Sequence, residues 1–112
     1  MHDHSIAELA AGLREQRFSS RELTDHYLAR IERLDPGLNS FVTVCRDAAL
    51  AAAEAADRRL AAGDGGPLTG IPIAHKDIFL TKGVRTSCGS RLAAHMQQLE
   101  SSRLTYNQRL NV

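Results

Sequence analysis

A lysine set between a histidine and an aspartate, His75-Lys76-Asp77, lies in an apolar run that opens with Gly70-Ile71-Pro72. The run Ile71 to Phe79 reads as a strand, with Pro72 near its start, where a missing N–H is tolerated. Successive side chains of a strand point to opposite faces. Lys76 would then share a face with Ala74 and Ile78 and oppose His75 and Asp77. An ammonium on an apolar face is desolvated, which favours the neutral amine. A neutral amine accepts a proton from a hydroxyl, the task of a general base. The plainer reading, which these residues alone favour, has Lys76 reaching past Ile78 to solvent or to a distant carboxylate. The other lysine, Lys82, precedes Gly83 in a loop and reads as solvated.

The remaining candidates read as structural. His75 serves as a hydrogen-bonding group on the opposite face, and Asp77 as an acceptor for N–H groups of a nearby turn. His2 and His4 have no Cys or carboxylate cluster beside them, so no metal site is assigned. Cys88 with His75 would suggest a thiol nucleophile, but the two fall on different elements and Cys88 has no basic cluster to activate it. Gly63 to Gly66 lacks the Gly-Lys-Ser/Thr ending of a phosphate loop and reads as a helix-to-strand connection.

The elements that must position Lys76 are legible from local signals. Ser5 with Glu8, and Ser19 with Glu22, have capping-box spacing. Ile6, Leu9, Ala10 and Leu13 follow the first box at helical spacing. Leu23, Tyr27, Ile31 and Leu34 follow the second. Asp35-Pro36-Gly37 reads as the stop of the second helix, and Leu38 to Cys45 as a strand. Residues 48–62 hold nine alanines among fifteen and end at Gly63. They predict a third helix, with Glu54 and Arg58 spaced to pair on its surface. Thr81 to Ser90 is turn-rich. Residues 91–112 contain no Gly, Pro, Lys or Asp. They read as a tail, disordered or a short helix faced by Leu92, Met96 and Leu99.

Composition narrows the class. The chain has 112 residues, 14 basic and 13 acidic, for a net charge of +1. That suits one small domain and argues against a dedicated nucleic-acid binder. The five Phe and Tyr residues are scattered and offer no stacking platform for single strands. No apolar run approaches spanning length, and Met1 to Ser5 is polar, unlike a secretory signal. Two cysteines, Cys45 and Cys88, are too few for a disulfide scaffold. The expected setting is cytoplasmic, with reduced thiols.

The stretch from Gly66 to Ser90 resembles the amidase-signature family. It matches that family's pattern through Gly70-Ile71-Pro72, Lys76-Asp77, Gly83-Val84, Thr86 and Gly89-Ser90. The form of His75-Lys76-Asp77, with Arg85 to Ser90, is most similar to the tRNA-dependent amidotransferase branch. Ile6 to Leu9, Ser19 to Thr24, Ile31 to Leu34 and Leu38 to Thr43 agree with it. The resemblance covers residues 4–91, the expected N-terminal part of an amidase-signature domain, with 92–112 as a non-matching tail. It implies an α/β fold, with N-terminal helices packed on strands of an incomplete mixed sheet. It also implies a mechanism in which a serine nucleophile attacks the glutamine side-chain amide, and a second serine relays the proton to a lysine. Only the lysine maps here, as Lys76. The two serines and their glycine-rich surroundings would lie beyond residue 112, and none of Ser87, Ser90, Ser101 or Ser102 has such surroundings. The chain by itself is therefore expected to be inactive. The function implied is a glutaminase subunit that supplies ammonia for converting Glu-tRNA(Gln) to Gln-tRNA(Gln). ATP and Mg²⁺ would act at a partner B subunit, which also engages the tRNA, and a small C subunit would complete the complex. The alternatives are a stand-alone amidase of small amides and a non-enzymatic fragment or interaction module.

Overall fold

The computed structural model describes residues 1–79 and 84–89. Lys82, Gly83, Ser90 and the tail at 92–112 lie outside the described residues. The chain divides into two compact units, Met1–Ile73 and Ala74 onward.

The first unit holds three helices: α1 (Ile6–Arg14), α2 (Ser20–Leu38) and α3 (Arg46–Ala61). Both capping boxes form. The Glu8 amide donates to Ser5 Oγ at 3.3 Å while the Ser5 amide donates to the Glu8 carboxylate at 2.7 Å. Ser19 and Glu22 repeat this at 3.0 and 2.7 Å. Each exchange satisfies helix-start donors that would otherwise face only water. The backbone donor, with the serine hydroxyl beside it, holds each glutamate below the usual carboxylate range. At its far end, α3 closes as the sequence indicates. Gly63, at φ +73°, turns the chain so that its amide reaches Leu60 O and the Asp64 amide reaches Arg59 O.

The core is small. Leu9 and Leu13 of α1 meet Leu23 of α2, which is fully buried, and Phe18, Tyr27, Leu60 and Ile71 close around them. The helical stripes are thus partly as expected, but Ile6 and Leu34 are exposed. Thr24 and Leu28 are buried in α2 instead. Glu54 pairs with Arg21 of α2 rather than with Arg58 along its own helix.

Three further expectations are corrected. Pro36 does not stop α2, which runs through it to Leu38. In the last turn a proline costs only one backbone hydrogen bond. The exit is made by Asn39 in the left-handed conformation, its amide donating to Asp35 O at 2.6 Å. The Asp35 carboxylate then accepts the amides of Ser40 and Phe41 at 2.7 and 3.3 Å. Second, the expected strand over Leu38 to Cys45 is absent: Leu38 belongs to α2, and the rest is irregular, with a bend at Val42. Third, Ile71 to Phe79 is not a strand; residues 71–76 are irregular and 77–79 form a turn.

The α/β arrangement of helices packed on a mixed sheet is therefore not what is observed. The described residues hold three helices and no strand, with a bridge residue at Val84. The physical reason lies in pairing. A strand is stabilised by its neighbours rather than by intrinsic preference. The two apolar runs have no ladder partner among the described residues, and Val42 and Ile73 are each 71% exposed.

Candidate active site

Gly70, six residues before Lys76 in the chain, is held within the helical unit. Gly70 adopts φ +87°, and a Cβ there would lie 3.1 Å from Ser20 Cβ. Its carbonyl accepts the Ser20 hydroxyl at 2.8 Å. Ser20 opens α2, and its amide donates to Asp57 Oδ1 of α3 at 2.6 Å, with the Arg21 amide on Oδ2 at 3.1 Å. One carboxylate thus caps a helix distant in sequence, and that helix's first side chain holds the backbone just before Ile71.

Lys76 and its neighbours belong to the second unit. The Lys76 carbonyl accepts the Phe79 amide at 3.1 Å, closing a turn. The Lys76 side chain is exposed, as are Ala74 and Ile78. The expectation of a desolvated lysine on an apolar strand face is therefore not met among the described residues. No ion pair engages Lys76 among them either. His75 does not act on Lys76 or Cys88; its ring meets Phe79 edge-on, with centroids 6.3 Å apart.

Asp77 accepts N–H groups of a turn, as its position suggests. Its Oδ1 takes the Ser87 amide at 2.8 Å, and its Oδ2 takes the Ser87 hydroxyl. Its own carbonyl takes the Cys88 amide at 3.0 Å. The Ser87 hydroxyl first, and then the Ser87 amide, hold the Asp77 carboxyl below the usual range. Thr86 adds a bond from its hydroxyl to Phe79 O at 2.8 Å. The chain then turns through Cys88 and Gly89 at φ +49° and +69°. Ser87 is the residue that sequence reasoning missed as Asp77's partner. The signal was thin: a hydroxyl residue next to a turn, ten positions from an acid. Its hydroxyl donates to the Asp77 carboxylate. Cys88 is a free, exposed thiol.

No group of three His, Cys, Asp or Glu able to hold a metal occurs among the described residues. His2 instead meets His26, with Nδ1 and Nε2 3.3 Å apart and the rings stacked. No helix among the described residues is long and apolar enough to cross a membrane.

Comparison with known proteins decides the family. The profile described as Amidase matches residues 22–109. The chain belongs to the Amidase family. Among its relatives is the A subunit of Glutamyl-tRNA(Gln) amidotransferase from Methylococcus capsulatus, 70% identical over 92 residues. Proteins of the same name from Alkalilimnicola ehrlichii and Nitrosococcus oceani are each 60% identical over 92 residues. In every case the match covers 82% of this chain and 19% of the relative. This Amidase-family chain thus spans about a fifth of the length of the curated relatives it matches.

Proposed function

We propose that this chain contributes the lysine base of a glutamine-hydrolysing amidase, the A subunit of a tRNA-dependent amidotransferase. Lys76 takes the proton that a second serine relays as the serine nucleophile attacks the glutamine side-chain amide. The C–N bond breaks as the proton held by Lys76 is returned to the leaving nitrogen, ammonia departs, and a glutamyl ester remains on the nucleophile for water to hydrolyse. The observation that carries the reading is the match, 70% identical, to the Methylococcus A subunit. Neither serine is assigned within these 112 residues, so the chain alone should not release ammonia from glutamine. The desolvation that a lysine base needs would come from surroundings belonging to the four-fifths of the relatives' length outside the match. In this reading ATP and Mg²⁺ work at a partner B subunit, which receives the tRNA, a C subunit joins them, and the setting is cytoplasmic. A stand-alone amidase of small amides is the second reading.

The test is a hybrid in which the 92 matched residues replace their counterparts in the Methylococcus A subunit, assayed for ammonia release with its B and C partners. The hybrid should hydrolyse glutamine, and Lys76→Ala should lose several orders of magnitude. Lys76→Arg should not recover, because a guanidinium stays charged. Near-normal rates in either variant would sink the assignment. Equal turnover of glutamine and simple amides without the partners would favour the second reading.

A further inference from the structure

We propose that Asp77 is a positioning residue for Lys76, acting through a clamp on Ser87 that fixes the backbone beneath the lysine and keeps the neighbouring carboxylate away from its amine. This rests on the reading of Lys76 as the base.

The clamp is built from both ends of Asp77. Its side chain receives the Ser87 amide and hydroxyl, and its main-chain carbonyl receives the Cys88 amide. Ser87 Oγ in turn accepts the Gly89 amide at 3.3 Å, so its hydrogen is directed at Asp77. Two residues on, Phe79 O receives the Thr86 hydroxyl. The segment 77–79 is thus tied to 86–88 at each of its ends, and Thr86 and Ser87 are 4% and 8% exposed. Lys76 directly precedes the clamped residue, and its own carbonyl is held by Phe79. What the network leaves free is the lysine side chain; what it fixes is the direction from which that side chain starts. A base is effective only when its nitrogen lies within hydrogen-bond reach of the proton it takes. A small misplacement at the backbone is carried to the tip of a long side chain.

The second effect is electrostatic. Asp77 is the acid adjacent to Lys76 in sequence, and a carboxylate beside the amine would favour the ammonium, the wrong form for a base. Both Asp77 oxygens already have a donor on Ser87. The side-chain partner matters here because it is removable: Ser87→Ala releases one oxygen while leaving the amide bond in place, and Ser87→Thr keeps the hydroxyl.

The hybrid enzyme described above, with its partner subunits, tests this. Asp77→Ala should lower kcat about 10²-fold, the scale of a misplacement near 1 Å, with KM for glutamine and the melting temperature little changed. Asp77→Asn retains an acceptor for the Ser87 amide and should fall between. Ser87→Ala should lower kcat, and Ser87→Thr should restore it. If Asp77→Ala fails to fold, the Ser87 pair decides. Wild-type kcat in both Asp77→Ala and Ser87→Ala, with Lys76→Ala inactive, would overturn the positioning role and leave the assignment of the base intact. So would a loss of yield and melting temperature at unchanged kcat per folded enzyme, since that is what a turn stabiliser alone would give. Full activity of Lys76→Ala would instead remove the base itself, and the clamp's role with it.

Discussion

Residues 1–73 and the described residues from Ala74 onward are held by different chemistry. The first region is three capped helices around Leu9, Leu13 and Leu23. Apolar burial and local hydrogen bonds reinforce each other there. In the second region Ala74, Ile78 and Phe79 are exposed, and the described order comes from polar bonds converging on Asp77, Phe79 and Ser87. The region with the core carries no candidate chemistry, and the described residues around the candidate lysine have almost no core. A hydrogen bond contributes only about 1 kcal/mol net, so the second region should respond to its polar partners while leaving global stability nearly untouched.

The largest effect should come from the core. Leu23→Ala should lower stability by about 2–5 kcal/mol, read from urea unfolding of the chain by circular dichroism. Lys76→Ala in the same assay should stay within about 0.5 kcal/mol, as exposed substitutions do. A silent Leu23→Ala, or a destabilising Lys76→Ala, would break the contrast between the regions. The next effect sharpens where the first region hands over to the second. Gly70→Ala places a side chain at φ +87° and against Ser20, which should cost about 1–3 kcal/mol. Stability equal to the parent would show that the Ser20 anchor yields without penalty.

The smallest effect is in pH. Glu8 and Glu22 are held low by their serine partners, and Asp77 by Ser87. A carboxyl lowered in the folded state binds fewer protons there than when unfolded. Its stabilisation is complete above the ordinary range, about 4.3 for Glu and 3.9 for Asp. It fades as pH falls through the lowered folded values. Acid titration followed by NMR should show the Glu8 and Glu22 carboxyls titrating below the ordinary glutamate range, with Ser5→Ala returning Glu8 toward it. Asp77 should shift upward in Ser87→Ala with Glu8 and Glu22 unmoved, separating the two regions by a single substitution. Movement of all three together would mean that they are not independent.

Ser5, Ser19 and Gly63 were legible because each acts within one turn of its own chain. A serine three residues from a glutamate finds it whatever else the fold does, and a glycine after an alanine-rich run supplies the reversal that other residues resist. The Lys76-Asp77 segment was legible by resemblance, and the family assignment agrees with it. Pro36 misled because a stop signal was read without its exit: Asn39 and the Asp35 carboxylate carry the helix one residue past Gly37.

The sequence by itself determined the starts of α1 and α2, the end of α3, the helical faces that meet at Leu23, and the family. Each rests on spacing within a few residues or on a motif that needs no partner. Tertiary structure alone decided that Asp57 caps α2, that Arg21 rather than Arg58 takes Glu54, and that Ser87 takes Asp77. It also decided that the runs at 39–45 and 71–79 are not strands among the described residues. Those outcomes depend on which groups meet across 33 or 37 residues, or across ten. For the two apolar runs they depend on whether a second strand lies alongside. Alternating side chains announce that a segment could pair; only a neighbour with free N–H and C=O groups makes it a strand.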